Sequence, residues 1–432
     1  MVVPNNIPIT NLGTPFYVGS VQRLYGIPGT DSHMVTETTS AGSVFDVGSI
    51  FEVPGSDVAR AVFRHALYSR MGEAGFWQEV AGSIAENETL SPAYRAELSD
   101  GLLPELCQNG ARTHHGGMID AESGNVVTSG VPETPSRFNV VERYEIRKPS
   151  EVEVLGSWLY DYSGFPGRDR FVVPLEYIVR FGITGASSVY RKYLRLSDDQ
   201  KKSFESELGV TKPLQAWQML DRPISDCTTK FEPEDRSLSK QEALTLCGLN
   251  GEQYARSIKL AVLGACAVKH LLQNLGLLLW DIKWEFAKNG NDLVFVDTID
   301  TDSLRATRTF NVDGQELVVH FNKQSIRDYY RIMHSQWLDG VNHAKQLAKS
   351  GGIPFTELLR KGQQEGQYPA TPTVSDEFLS IQTSKIASIQ SYMTGATGGD
   401  ETSAALETAG NEEIRFYKSQ GLIGEFAKLN RI

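Results

Sequence analysis

Apolar and polar positions alternate most sharply between Leu277 and Ala287. Leu278, Trp280, Ile282, Trp284 and Phe286 interleave there with Asp281, Lys283 and Glu285. A period of two predicts a β-strand with one apolar face and one ionic face. Lys288-Asn-Gly-Asn-Asp292 is a turn signal, and Leu293-Val-Phe-Val-Asp297 returns as a second strand, so 278–300 reads as a hairpin. Upstream, Tyr254, Ile258, Ala261, Val262, Ala265, Val268, Leu272 and Leu275 keep helical spacing. They predict a helix from about Glu252 to Leu275, with Gly276 as its stop.

The remaining chain is less sharply patterned. Residues 1–15 read as a loose lead-in, and Tyr17 to about Val58 as β-rich, with short apolar runs broken by Gly and Pro. Residues 59–80 look helical. The stretch from about Glu86 to Gly130 is polar, Gly-rich and holds a second helix. Residues 139–148 and 170–183 are strand-like, and 197–207, 323–348 and 375–394 helical. The segment Gly395 to Gly410, rich in Gly, Ser, Thr and Glu, reads as mobile, followed by a short amphipathic helix at 411–429. The expected division is 1–170, a β-rich part with an inserted helical and loop segment; 171–395, an α+β part; and 396–432, a flexible extension.

Composition narrows the class without naming it. The 432 residues are 40% hydrophobic and 22% charged, an ordinary globular balance with room for a sizeable core. No run of 18 apolar residues occurs, and the N-terminus lacks the pattern of a signal peptide. The net charge of −11 disfavours general affinity for nucleic acid or an acidic membrane surface. Cys107, Cys227, Cys247 and Cys266 form no CxxC and suit reduced thiols in the cytoplasm.

Chemistry concentrates on the hairpin. Asp281, Lys283 and Glu285 share one strand face, and the returning strand ends on Asp297, with Asp300 and Asp302 close behind. Carboxylates beside a lysine are what a Mg²⁺–ATP site needs: oxygen ligands for the metal and an ammonium for phosphate oxygens. The same residues also fit a solvent-exposed strand with a cross-strand ion pair. Gly182-Ile-Thr-Gly185-Ala-Ser-Ser188 follows Arg180 and fits either a phosphate-binding loop or a plain turn. There is no GxxxxGK[ST], no GxGxxG opening a helix, no HExxH and no GxSxG. His114 and His115 are adjacent, so on a strand they point to opposite faces and make a poor metal pair.

Several ordered blocks resemble the SAICAR synthetase (phosphoribosylaminoimidazole-succinocarboxamide synthase) family. Pro174-Leu-Glu-Tyr-Ile-Val-Arg180 with Ile183-Thr-Gly185 is similar to its P-L-E-x-x-V-R strand and following loop. Asp281-Ile-Lys283-Trp-Glu285-Phe286 is similar to its D-x-K-x-E-F strand, and Asp297 to Arg305 to its D-E-x-S-P-D-x-x-R segment. Cys227-Thr-Thr-Lys230 with Glu234-Asp235-Arg-Ser-Leu-Ser239, and Phe321-Asn-Lys323-Gln324-Ser-Ile-Arg327-Asp328-Tyr329, resemble two more of its blocks. Arg112-Thr-His114 resembles a T-H strand start.

The resemblance implies an α+β fold in two lobes, a β-rich N-terminal lobe and a larger part, with ATP in the cleft. It implies a ligase of purine biosynthesis that joins L-aspartate to carboxyaminoimidazole ribotide through an acyl phosphate, with ATP and Mg²⁺. It gives Lys283, Asp297 and Asp235 catalytic roles; Lys283, Glu285 and Asp297 the nucleotide; and Glu285 and Asp297 the metal. Arg180, Ser187, Arg305, Lys230, Lys323 and Gln324 would hold substrate, with Arg180 and Arg305 on the ribotide phosphate. Small molecules are then the partners, without nucleic acid or membrane, and a homo-oligomer is left open. Three basic positions of the family's N-terminal lobe are missing: this chain has Gly19-Ser20-Val21-Gln22, Thr39-Ser40-Ala41 and Gly55-Ser56-Asp57 there. Arg23, Arg60 and Arg64 are the nearby cations that could substitute. A diverged ligase acting on a related carboxylate, and a non-catalytic nucleotide binder, stay open as alternatives.

The hairpin register decides whether the proposed site can form. A two-residue Asn289-Gly290 turn would send Asp297 to the apolar face. A three-residue loop, 289–291, sets Lys283 opposite Asp297 and Glu285 opposite Phe295, and is the expected arrangement.

Overall fold

The computed structural model describes residues 3–432, apart from the side chains at 350 and 351. Two antiparallel sheets organise an α+β fold. The first has six strands in the order 17–18, 22–27, 30–38, 138–142, 115–119 and 126–127. The helix Ser56–Met71 lies against it and buries Val62, Phe63, Leu67 and Met71. The second sheet runs 237–238, 218–229, 175–183, 278–289, 304–312 and 315–320; the strands 171–172 and 292–296 pair with the far half of 278–289.

The helix Gly251–Gln273 packs on the apolar face of the second sheet. Asn250 caps it by accepting from the Gln253 N–H, with Gln253 bonding back in a capping box. Gly264 lets it approach closely, since a Cβ there would sit 2.8 Å from the Phe295 ring. Beneath it Trp284 meets Phe295 edge-on at 4.8 Å, and Tyr177 meets Phe286 at 5.0 Å. Gly276 takes φ +67 just after the helix, the stop its position predicts.

Three expectations are corrected. Residues 59–80 are not one helix: Ser56–Met71 ends at Gly72, and Ala74–Ala85 follows after an extended Glu73. The helix at 323–348 is two helices, Gln324–Met333 and Ser335–Gly351, which meet at His334 with non-helical φ −137 and ψ 42. The segment 395–410 is not a mobile linker with a short helix after it. Gly399–Ser419 is one continuous helix that buries Leu406, Ile414, Phe416 and Tyr417, and Ile423–Asn430 follows. Lys385, on the helix Asp376–Met393, forms a buried ion pair with Glu413 of the helix Gly399–Ser419. The Lys385 Nζ also donates to the His320 carbonyl at 2.7 Å. Among the described residues no helix is long and apolar enough to cross a membrane.

Candidate active site

The hairpin closes differently from expectation. Asn289 pairs with Asp292, Phe286 with Phe295 and Glu285 with Val296, so Gly290-Asn291 forms a two-residue turn. Gly290 has φ +64, and its N–H donates to Asp169 Oδ1 at 2.5 Å. Simple alternation in this register would put Asp297 on the Trp284 face. The strand ends at Val296, however, and Asp297 takes φ +69. That left-handed residue turns the side chain back to the ionic face. The Tyr68 hydroxyl holds the reversal by donating to the carbonyls of Val296 at 3.0 Å and Asp297 at 3.1 Å.

The ionic residues therefore converge. Lys283 Nζ lies 2.5 Å from Glu176 Oε1, 3.0 Å from Glu285 Oε1 and 4.0 Å from Asp297 Oδ2. Lys230 pairs with the other oxygen of Glu285. Burial and the neighbouring Asp297 charge push the Glu285 carboxyl up to about 7. Burial works against the Asp297 charge too, but Lys230, Lys283 and hydrogen bonds from Glu285 and the Thr298 N–H outweigh it and hold Asp297 well below the usual carboxylate range. The two carboxylates share one site and keep a proton between them near neutrality.

Lys230, Glu285 and Asp297 border a cleft of about 450 Å³ between the two sheets, lined also by Tyr17, Met34, Arg64, His114 and Tyr144; Lys283 is joined to it through Glu285 and Asp297. Burial drives His114 down to about 4, so its imidazole is neutral. The strand begins only at His115, so the two histidines do not alternate across it: both rings meet Tyr68, at 5.7 and 6.0 Å, and His115, outside the cleft lining, bonds His65 at 2.7 Å. A larger cavity of about 560 Å³ lies beside the strand 218–229 and the helix 251–273, but none of Lys283, Glu285 and Asp297 lines it. Among the described residues no three His, Cys, Asp or Glu side chains gather as a ready metal cage. Glu285 and Asp297 supply two oxygen donors side by side, the number Mg²⁺ takes from protein when phosphates provide others.

A second group sits further along the same strand. Asp281 accepts from Arg305 at 2.7 Å and lies 3.5 Å from Arg180. Arg180 is buried and clasps Asp226 at 2.9 and 3.1 Å, not Glu176, which faces Lys283. Ser187 precedes the short helix Ser188–Tyr193, and its buried hydroxyl has no hydrogen-bond partner among the described residues. Lys323 borders a small pocket with Arg60 and Asp302, whereas Gln324 turns inward to Asp328 at 2.8 Å. Asp235 is exposed in the loop between strands 218–229 and 237–238. Arg23 pairs with Glu37, and Arg60 and Arg64 are buried against Asp300, so carboxylates already engage all three.

Spacing alone did not single out Arg191 and Arg327. Neither has an ion-pair partner among the described residues. Burial and the charges of Arg305 and Arg331 push both guanidinium pKa values down. Arg327 stands in the family-like block Phe321 to Tyr329 but was given no role there; Arg191 had no signal. Tyr68 could not be found from pattern, because its role depends on a residue 229 positions away.

The family model for SAICAR synthetase matches residues 166–344, which hold both ionic groups. A provisionally named phosphoribosylaminoimidazole-succinocarboxamide synthase of Archaeoglobus fulgidus is 32% identical over 244 residues, covering 56% of this chain and 66% of that protein. Phosphoribosylaminoimidazole-succinocarboxamide synthase of Thermoplasma volcanium is 27% identical over 216 residues, covering 50% and 64%. The chain belongs to the SAICAR synthetase family. The alignments span just under two thirds of these relatives' lengths. The solved SAICAR synthase of Saccharomyces cerevisiae in complex with SAICAR covers 91% of this chain at 16% identity and a TM-score of 0.47.

Proposed function

We propose that this chain is an ATP-dependent ligase that forms an amide between a ribotide carboxylate and an amine, L-aspartate in the family reaction. The observation that carries the reading is the convergence of Glu285, Asp297 and Lys230 on the wall of the 450 Å³ cleft, with Lys283 paired to both carboxylates. Glu285 and Asp297 would hold Mg²⁺, which offsets the charge of the transferring phosphoryl group. Lys283 neutralises phosphate oxygens, and Lys230 keeps Glu285 oriented. The γ-phosphoryl passes from ATP to a carboxylate oxygen of the substrate and ADP leaves; the neutral amine then attacks the acyl carbon, the C–O bond to phosphate breaks, and the amine's proton goes to the departing phosphate. Arg191 and Arg327, which have no ion-pair partner among the described residues, give the anionic substrate its counter-charge beside Arg305, which is held by Asp281. Arg180 acts through Asp281, which it shares with Arg305.

One observation favours a second reading, the same chemistry on a related carboxylate. Gln22 lines the cleft beside the family's missing basic positions, and its Oε1 is buried without a partner among the described residues. A substrate that donates a hydrogen bond there would suit this chain better than one that needs a cation. Purified protein with ATP, Mg²⁺, L-aspartate and carboxyaminoimidazole ribotide tests the first reading through ADP release, and a panel of related carboxylates and amines tests the second. Lys283→Met should cut turnover by about a hundredfold or more. Nucleotide binding with no carboxylate-dependent ADP release across the panel would refute both.

A further inference from the structure

The strands Ser150–Val154 and Ser157–Asp161 form a ribbon that joins neither large sheet. Its register pairs Val152 with Leu159, Glu153 with Trp158 and Glu151 with Tyr160. Two-stranded ribbons are marginal in water unless something covers them. Here Trp158 is 59% exposed and Leu159 53%, and Leu155 at the turn is fully exposed. Tyr160, at the root, is the residue that packs back on the core. Each strand has one edge paired and one open, and an open edge is a template for another strand.

The two open edges are not equivalent. A two-fold axis through Val152 would set Glu151 against Glu153 of a second copy, twice, and like charges directly opposite repel. A two-fold axis through Leu159 sets Leu159 against itself, Trp158 against Tyr160 twice, and Ser157 against Asp161 twice. Those are an apolar contact, two aromatic pairs and two hydroxyl–carboxylate pairs, all favourable. The exposed Trp158 of each tip would then cover the Tyr160 root of the other. We propose that the occupant of this edge is a second copy of the chain, paired antiparallel through Ser157–Asp161 about a two-fold axis. The inference stands apart from the ligase reading.

Sedimentation velocity of the full chain over roughly two decades of concentration should show a monomer–dimer equilibrium. Leu159→Lys puts two ammonium groups on the axis and should weaken the dimer roughly tenfold or more. Val152→Lys, on the strand away from the seam, should change it by less than about twofold. Leu159→Cys should cross-link to its copy under mild oxidation, because opposed antiparallel residues have Cα atoms about 4.5–5.5 Å apart, within disulfide reach. Val152→Cys and the natural sequence, whose cysteines are buried or half-buried, should not. A chain that stays monomeric throughout overturns the proposal. So does a dimer without the Leu159→Cys cross-link, or one that Val152→Lys dissociates as readily, which would mean packing through the aliphatic face instead.

Discussion

Asp297 is where one residue's backbone decides the site. Aspartate is among the few side chains that tolerate the left-handed region, and Tyr68 fixes the flanking carbonyls. Tyr68→Phe keeps the ring and removes both hydrogen bonds. Calorimetry should show Mg²⁺–ATP affinity reduced roughly tenfold, with the KM for the ribotide nearly unchanged. The shared proton adds a pH signature. With Glu285 raised to about 7, the pair is one acceptor short below that pH. Mg²⁺–ATP affinity should therefore rise as pH climbs through about 7 and fall up to tenfold per unit beneath it. Glu285→Gln should flatten that dependence; a slope unchanged in the variant would assign the proton elsewhere.

At the scale of elements, the penultimate helix Gly399–Ser419 belongs to the core. Glu413→Ala leaves the Lys385 ammonium buried without its counter-charge and should cost about 3–5 kcal/mol by urea unfolding. Lys385→Met with Glu413→Leu should recover most of that. This helix was hidden because small polar residues fill its first half, and its apolar residues find partners only once the helix Asp376–Met393 is in place, where Phe416 and Tyr417 meet Phe378. The hairpin was legible in a different way. Alternation located the strand and its ionic face at 281–285, but a bulge between Leu279 and Asp281 puts Leu279, not Trp280, in the core with Ile282 and Trp284, and Trp280 meets Trp217 instead. The turn could not be read, because Asp169 binds Gly290, Arg112 pairs with Asp292 and Phe171 pairs with Lys288. Contacts of such long sequence separation selected Gly290-Asn291 over the expected loop. The carboxylates and lysine still met, through the reversal at Asp297 and not through the register.

Across the whole molecule, the two sheets are tied by the pairs from Arg60 and Arg64 to Asp300, directly behind the cleft. The histidines set another property of the whole chain. Burial holds His114 at about 4 and His320 at about 3, and drives His65 and His115 down as well. Unfolded, each would take up a proton below about pH 6.5. Their native neutrality therefore stabilises the fold fully above that pH, and the contribution drains away as pH falls towards about 4 for His114. His114 alone accounts for on the order of 3 kcal/mol across this window. Melting temperatures should drop steadily from about pH 6.5 downwards, and His114→Asn should show a shallower slope. Acid sensitivity thus becomes a property of the interior: in a compartment that acidifies, the chain would unfold by imidazole protonation while its strongly acidic surface was only beginning to titrate.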